Sequence, residues 1–225
     1  MRKALVTGAA GFIGLNLVKT LCSMDYCVST LIEKDNRVGA DCLKHVDQSI
    51  NIFDDIDNLL LQSSKIERFD VIFHLASVGV RPEFNDIDLI CDVNIKLGCK
   101  LVDFAKRNGA NLLVNFGSCF EYGDHGNELL TEEMNCYPES LYSISKNAAT
   151  NLITGYAKSQ KVNMITVRPF GVFGDGEGIT RLAPSIISSC LKGEIIETTE
   201  GNQIRDFVNV KDLVKAIIKL CESNY

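Results

Sequence analysis

Short, almost entirely apolar segments alternate with segments of helical periodicity along the whole chain. The strand-like segments lie at 3–7, 28–32, 49–52, 71–75, 112–116 and 163–167. The helical patterns lie at 12–23, 56–62, 87–108, 142–158, 182–192 and 210–221. A strand that is apolar at nearly every position is buried on both faces, which is typical of parallel sheets covered by helices. The alternation therefore predicts an α/β fold with a doubly wound parallel sheet.

Composition narrows the range of partners. The 225 residues are 46% hydrophobic, enough for a substantial core, and the formal net charge of −6 argues against a nucleic acid as the main partner. No apolar run approaches the roughly 18 residues of a membrane span. The first residues could mimic a secretion signal, but glycines interrupt them, and they are interpreted as part of the mature protein. Nine cysteines at irregular spacing and only three histidines predict neither a metal site nor a disulfide framework. Reduced thiols indicate a cytoplasmic location.

A glycine-rich turn lies between the first strand and the first helix. The residues that we expect to face a ligand there are Gly8, Ala10, Gly11, Phe12, Ile13 and Gly14. Glycines let the backbone turn tightly and approach a pyrophosphate, while the helix N-terminus offers unpaired N–H groups and the positive end of its dipole. The turn predicts a dinucleotide site, although its spacing is Gly-x-x-Gly-x-x-Gly rather than the commoner Gly-x-Gly-x-x-Gly.

The end of the second strand carries charges of both signs. Glu33 could bind the ribose hydroxyls of an adenosine, which favours NAD as the cofactor. Lys34 or Arg37 could instead bind a 2′-phosphate, which favours NADP. The residues alone leave both cofactors open.

Tyr142 and Lys146 are four positions apart on a predicted helix and therefore share one face. A phenol normally ionises near pH 10, and a neighbouring ammonium lowers its pKa toward the working range of a proton shuttle. An apolar stripe that includes Ile144 and Leu152 runs along a different side, so we expect the pair to lie away from the centre of the packed face. Ser118 follows the fifth strand, at the sheet edge where ligands bind, and its hydroxyl could orient a substrate.

Together these motifs resemble the extended short-chain dehydrogenase/reductases, the NAD-dependent epimerase/dehydratase family. The similarity runs along essentially the whole chain. It is carried by TGAAGFIG at 7–14, NIFD at 51–54, HLAS at 74–77, Asn94, SCFEYG at 118–123, YSISK at 142–146, RPFGVFG at 168–174 and RDF at 205–207. So many motifs in one order are specific for the family and much less specific for the reaction.

The resemblance implies a Rossmann-type dinucleotide-binding domain at residues 1–167. It also implies a smaller substrate-binding lobe at 168–225 with returning Rossmann elements, apparently truncated because complete family members continue further. In the family roles, Tyr142 is the acid/base, Lys146 anchors a ribose and modifies the pKa of the tyrosine, and Ser118 polarises the substrate.

The same resemblance assigns further residues. The cofactor-binding set is completed by Asn51, Ile52, Leu75, Ala76, Ser77, Asn94, Phe116, Pro169 and Phe170. On the substrate side, Arg205 resembles the family arginine that binds a diphosphate, and Cys119 is expected beside Ser118. The family's dimer is built from the helices at 87–108 and 142–158, which implies a homodimer.

Two departures from the family pattern bear on the reaction. Cys119 and Phe120 stand where sugar 4,6-dehydratases of the family carry an Asp-Glu pair, which argues against a dehydratase. Gly171 stands where some 4-epimerases use an asparagine to contact the substrate diphosphate. The resemblance therefore implies an NAD- or NADP-dependent epimerase or 4-ketoreductase that acts on a nucleotide-linked (deoxy)sugar by hydride transfer. The alternatives are a non-catalytic, cofactor-binding regulator or scaffold and a reductase of a small non-nucleotide carbonyl.

Overall fold

Six parallel strands form the central sheet in a computed structural model that describes residues 1–81 and 83–223. The strands are β1 (Lys3–Thr7), β2 (Cys27–Leu31), β3 (Asn51–Phe53), β4 (Val71–His74), β5 (Leu112–Phe116) and β6 (Met164–Val167). Their order across the sheet is β3-β2-β1-β4-β5-β6, so the winding reverses between β1 and β4. The predicted doubly wound parallel sheet is confirmed, and its switch point lies where such sheets bind ligands.

Helices cover both faces of this sheet. They are α1 (Phe12–Ser23), α2 (Arg37–Val46), α3 (Ile56–Leu61), α4 (Ile87–Ile90), α5 (Leu97–Asn108), α6 (Leu141–Gln160), α7 (Leu182–Lys192) and α8 (Val210–Glu222). The π-helical segment Cys91–Lys96 joins α4 to α5, and the 3-10 turn Cys119–Glu121 follows β5. No helix in the described part of the chain is both long enough and apolar enough to cross a membrane.

Each face of the sheet has its own core, because successive side chains of a strand point to opposite faces. Ala4 and Val6 of β1 pack in one core with α1 and α8, whereas Leu5 packs in the other with α5 and α6. Phe73 and Ile72 divide between the two cores in the same way. This double burial explains why the strands are apolar at nearly every position.

The sequence pattern did not predict helix α2, which begins at Arg37. Only Gly39 and Leu43 of this ten-residue helix are buried, and most of its other residues face solvent. Asn36 caps it by accepting a hydrogen bond from the N–H of Gly39 at 2.8 Å. Arg37 is thus the first residue of a capped helix.

The segment after β6 forms a second, two-stranded parallel sheet. Its strands are β7 (Gly171–Phe173) and β8 (Phe207–Asn209), which pair in register from Gly171 opposite Phe207. A Cβ at Gly171 would lie 2.7 Å from the carbonyl oxygen of Asp206, so the close approach of the two strands requires glycine there. The predicted lobe at 168–225 includes these strands, α7 and α8, and its last two residues, 224 and 225, lie outside the described residues.

Candidate active site

Two adjoining cavities open at the carboxyl ends of the central strands. The glycine-turn cavity, of about 500 Å³, is lined by the turn after β1 together with residues that follow β2, β3 and β4. The tyrosine cavity, of about 460 Å³, is lined by the start of α1, the end of β5, Tyr142 and residues beyond β6. The two cavities share four wall residues, Gly8, Gly11, Leu75 and Ser77. Together they form one cleft of the size that an extended ligand needs.

The glycines of the turn are required by close backbone contacts. Gly8 has φ +66°, and a Cβ there would lie 2.6 Å from the backbone nitrogen of Ala76. A Cβ at Gly14 would overlap the carbonyl oxygen of Gly8, against which the first turn of α1 packs. The turn is therefore held in one conformation, with the backbone exposed to the cleft.

The N-terminus of α1 faces this cleft. Its cap is Gly11, which has no side chain to accept the first helical N–H groups. Phe12, Ile13 and Gly14 form the first turn and line the tyrosine cavity. Free N–H groups and the positive end of a 12-residue helix dipole suit the phosphates of a dinucleotide. The observed cradle fits such a cofactor.

The charged residues after β2 separate into two groups. Glu33 lines the glycine-turn cavity together with Asn36 and Asp54. Lys34 and Arg37 are exposed and lie outside its walls. The side of the cleft that would receive an adenosine is therefore lined by carboxylates.

Only some of the other residues expected to bind the cofactor line the glycine-turn cavity. Ala10, Leu75, Ala76 and Ser77 line the glycine-turn cavity. Asn51 and Ile52 lie on β3 outside the walls, which are formed from that part of the chain by Asp54 and Ile56.

Asn94 lies behind the wall rather than in it. Its side chain is buried, accepts from the N–H of Val78 at 2.9 Å and donates to the carbonyl of Val78 at 3.0 Å. It also donates to the hydroxyl of Ser145 at 2.9 Å. Asn94 thus fixes the loop after β4 against helix α6.

Tyr142 and Ser118 line the tyrosine cavity together. The ring of Tyr142 packs edge-on against Phe120, with centroids 6.4 Å apart and an interplanar angle of 77°. Burial raises the pKa of Tyr142 above its ordinary value, and the nearby hydroxyls of Ser77 and Ser118 act against that rise. The two hydroxyls therefore stabilise the phenolate form.

Lys146 completes the group on the same helix. The side chain is buried, at 4% exposed, and its ammonium donates a hydrogen bond to the carbonyl oxygen of Phe116. Burial lowers the pKa of Lys146 to about 8, against the opposing charge of Glu121. Burial also lowers the pKa of the adjacent His74 to about 3, so this histidine is neutral at pH 7.

The burial of Lys146 corrects the expected orientation of α6. Ile144 and Leu152 of the apolar stripe are 47% and 53% exposed, whereas Lys146 and Thr150 are buried. The inward face of α6 is mixed, because its apolar residues pack in the core with α5 while the Phe116 carbonyl at the end of β5 supplies an acceptor for the lysine. The apolar stripe therefore lies on the surface.

Residues beyond β6 close the cavity. Pro169 and Phe170 line it opposite the glycine turn, and Phe116 contributes from the end of β5. The ring of Phe170 stacks with that of Tyr122 at a centroid distance of 6.5 Å. An apolar, aromatic wall of this kind suits a flat ring such as nicotinamide.

The arginine expected to bind substrate is not in the cavity wall. Arg205 is exposed and donates to the carbonyl oxygen of Ile204 at 2.8 Å. It lies near Cys119: burial raises the pKa of the Cys119 thiol, and the charge of Arg205 acts against that rise. Arg81 and Arg181, which the sequence reasoning missed, line the tyrosine cavity instead. They lie in loops far apart in the chain, so no local spacing marks them.

The cysteines and the potential metal ligands are scattered over the described residues. All nine cysteines are free thiols. Within residues 1–81 and 83–223, no group of three His, Cys, Asp or Glu side chains could hold a metal ion.

Two curated proteins that are similar to this chain have nucleotide-linked sugars in their names. A GDP-6-deoxy-D-talose 4-dehydrogenase of Aggregatibacter actinomycetemcomitans is 29% identical over 222 residues, which cover 97% of this chain and 69% of that protein. A CDP-abequose synthase of Salmonella typhimurium is 28% identical over 221 residues, covering 97% of this chain and 70% of that protein.

A solved structure is similar over the whole chain. It is a UDP-N-acetylglucosamine 4-epimerase from Methanobrevibacter ruminantium M1 in complex with UDP-N-acetylmuramic acid, with a TM-score of 0.85 at 27% identity. The match covers 100% of this chain and 74% of that one. This chain therefore spans less than three quarters of the length of each of these three proteins. The model of the NAD dependent epimerase/dehydratase family matches residues 4–224, and the chain belongs to that family.

Proposed function

We propose that this protein transfers hydride between a nicotinamide cofactor and a carbon of a nucleotide-linked (deoxy)sugar, as an epimerase or a 4-ketoreductase. One observation carries the proposal. Tyr142, Lys146 and Ser118 line the same cavity as the glycines at the N-terminus of α1. A proton-transfer group and a dinucleotide cradle thus face one space, which is the arrangement that hydride transfer at a hydroxyl-bearing carbon requires.

The cofactor in this proposal is NAD. When bound, it would accept or return the hydride while the protein manages the proton. Glu33 and Asp54 line the adenosine side and would repel a 2′-phosphate, whereas Lys34 and Arg37 lie outside the walls. Calorimetric titration of NAD and NADP tests this choice: tighter binding of NADP by the wild type would contradict it.

Tyr142 is proposed to move the proton on the reacting oxygen. Ser118 would hold that oxygen by a hydrogen bond, and both side chains line the cavity. Lys146, held by the Phe116 carbonyl, would place its charge where a ribose hydroxyl and the phenolate can use it. With a pKa lowered by burial to about 8, Lys146 is still mostly charged at pH 7.

The substrate side of the cavity favours a diphosphate. Arg81 and Arg181 are cations in its wall, and Arg205 lies nearby beside Cys119. Both curated relatives have nucleotide-linked sugars in their names. Phe120, in contact with the Tyr142 ring, offers no acid for elimination of water, which favours epimerisation or reduction over dehydration.

Replacing Tyr142 with phenylalanine tests the assignment. We expect kcat on a responsive nucleotide sugar to fall on the order of 10²- to 10⁴-fold, because the proton shuttle is lost, while NAD binding is retained. Tyr137→Phe, at an exposed tyrosine, is the matched control. Wild-type turnover by the Tyr142 variant would refute the role. Binding of NAD without a response to any nucleotide sugar would favour a regulator instead.

A homodimer built from α4–α5 and α6 remains part of the proposal. Apolar side chains on these helices are exposed, including Ile87 at 53%, Leu89 at 38%, Ile144 at 47% and Leu152 at 53%. Leu152→Glu is expected to yield monomers in light scattering, and a wild type that is monomeric at high concentration would contradict the proposal. Nine free thiols support a reducing, cytoplasmic location, which cell fractionation would test.

A further inference from the structure

Glu121 is a fully buried carboxylate that lies beside the active site and outside the walls of both cavities. It ends the 3-10 turn after β5, and its side chain is 0% exposed. A buried carboxylate is costly unless it is paired and hydrogen-bonded. The partners of Glu121 come from three separate segments.

The first two segments meet at one carboxylate oxygen. Oε1 accepts from the backbone N–H of Ser118 at 2.8 Å and from the hydroxyl of Thr150 at 3.1 Å. Thr150 lies one helical turn beyond Lys146 on α6. A Cβ at Gly117 would overlap Oε1, so the carboxylate occupies the space that any other residue at 117 would need.

The third segment is held by the other oxygen. Oε2 accepts from Nε of Arg168 at 2.9 Å. The guanidinium of Arg168 lies over the ring of Tyr122, 4.9 Å from its centroid, and donates to the Tyr122 hydroxyl at 3.3 Å. Arg168 directly precedes Pro169 and Phe170, which line the tyrosine cavity.

We propose that Glu121 is a positioning residue for the hydride-transfer chemistry. Its carboxylate joins the Ser118 turn, helix α6 and the segment that begins at Arg168, and it places a negative charge beside Lys146. One side chain thereby fixes the distances between three groups that must meet around a reacting carbon. The inference rests on the proposed function, since those groups are assigned their roles there.

The charge of Glu121 gives this role a measurable signature. Burial is the main cause of the raised pKa of Tyr142, and the charges of Cys119 and Glu121 raise it further. The pKa of Lys146 is lowered by burial and raised by Glu121, and the nearby His74 is neutral. Removing the Glu121 charge should therefore lower the pKa of both catalytic groups. Both limbs of the pH profile of kcat should then move to lower pH.

The experiment compares three variants of the full chain with NAD and a responsive nucleotide sugar. Glu121→Gln should lower kcat on the order of 10- to 100-fold, with little change in KM and both pH limbs displaced to lower pH. Glu121→Asp keeps the charge but shortens the reach, so kcat should fall while the limbs stay near their wild-type positions. Glu67→Gln, at an exposed carboxylate paired with Lys3, should match the wild type.

A reduced kcat with unmoved pH limbs in Glu121→Gln would overturn the inference, as would a wild-type kcat. If this variant does not fold, Thr150→Val decides, because it removes one of the contacts: several-fold lower kcat supports the inference, and wild-type kcat overturns it.

A readout without turnover separates this inference from the proposed function. The ultraviolet absorbance of phenolate, measured against matching Tyr142→Phe backgrounds, reports the ionisation of Tyr142 in the wild type and in Glu121→Gln. If no nucleotide sugar reacts with the wild type, the proposed function fails. A shift of Tyr142 ionisation to lower pH in Glu121→Gln would still support the electrostatic part of the inference, and no shift would overturn it.

Discussion

The chain up to Val167 and the segment from Arg168 to Ser223 differ in how they are held together. The first part buries apolar residues on both faces of a six-stranded sheet. In the second part, every residue of α7 is at least partly exposed, and the buried side chains of α8 pack into the core around α1. The second segment is therefore stabilised chiefly where it returns to the sheet.

The two sides of the cleft differ in their packing in the same way. The cofactor side is made of backbone turns locked by close contacts, such as that between Gly8 and Ala76. The substrate side is closed by residues that precede α7, among them the exposed Thr180 and Arg181. A rigid dinucleotide cradle thus faces a wall with little core of its own, which is the side where specificity can vary at small structural cost.

Paired truncations within the second segment should show the largest effect, because of its two helices only α8 packs in the core around α1. Ile217 on α8 is 3% exposed in the core with α1, so Ile217→Ala should lower the free energy of unfolding by about 2–5 kcal/mol. Leu191 on α7 is 83% exposed, and Leu191→Ala should change it by less than about 0.5 kcal/mol. Urea denaturation measures both. Equal losses would contradict the conclusion that the second segment is stabilised chiefly where α8 returns to the sheet.

The next largest effect is expected on NAD binding, when a glycine of the cofactor side and a glycine of the second segment are each replaced by alanine. Gly14→Ala forces a Cβ against the Gly8 carbonyl, and a displaced turn should weaken NAD binding by roughly 10- to 100-fold. Gly201→Ala is the control in the second segment: its φ is also positive, at +77°, but a Cβ there meets open space. NAD affinity should be unaffected in the control. Equal NAD affinity in both variants would argue against a phosphate cradle at α1.

The smallest effect concerns acid stability. Burial lowers the pKa of His74 from its ordinary value of 6.5 to about 3, so between these values the unfolded chain holds a proton that the folded protein lacks. Unfolding takes up that proton, so stability is fully present above pH 6.5 and is lost as pH falls toward 3. His74→Gln should flatten the slope of unfolding free energy between pH 6 and 4 by up to about 1.4 kcal/mol per pH unit. An unchanged slope in His74→Gln would contradict the prediction.

The sequence predicted the strands that are buried on both faces of the sheet, because these strands are apolar at nearly every position. Strands such as Leu112–Phe116 are apolar throughout, so their pattern is unambiguous. Strands β7 and β8 have three residues each, too few for a periodicity, and α2 buries only two residues. The N-cap at Asn36 was the available signal for α2.

The site residues also divide into those that local sequence spacing marks and those that it does not. The glycine turn and the Tyr142–Lys146 pair are local spacings, and the structure brings them into one cavity. The positions of Arg81, Arg181 and Arg205 depend on how loops fold over the sheet, which local spacing does not encode. The inward face of α6 was also missed, because a buried lysine follows from an acceptor at the end of another strand.

Helix α8 has a consequence for how the protein is made. Val214 and Ile217 pack in the same core as Leu17 and Leu21 of α1, the helix that would bind the phosphates. The ribosome translates these two residues about two hundred positions after α1. The ribosome must therefore release the residues of α8 before that core can close. Until then, the apolar side chains of α1 that α8 covers stay exposed, and chaperone dependence should concentrate in that interval.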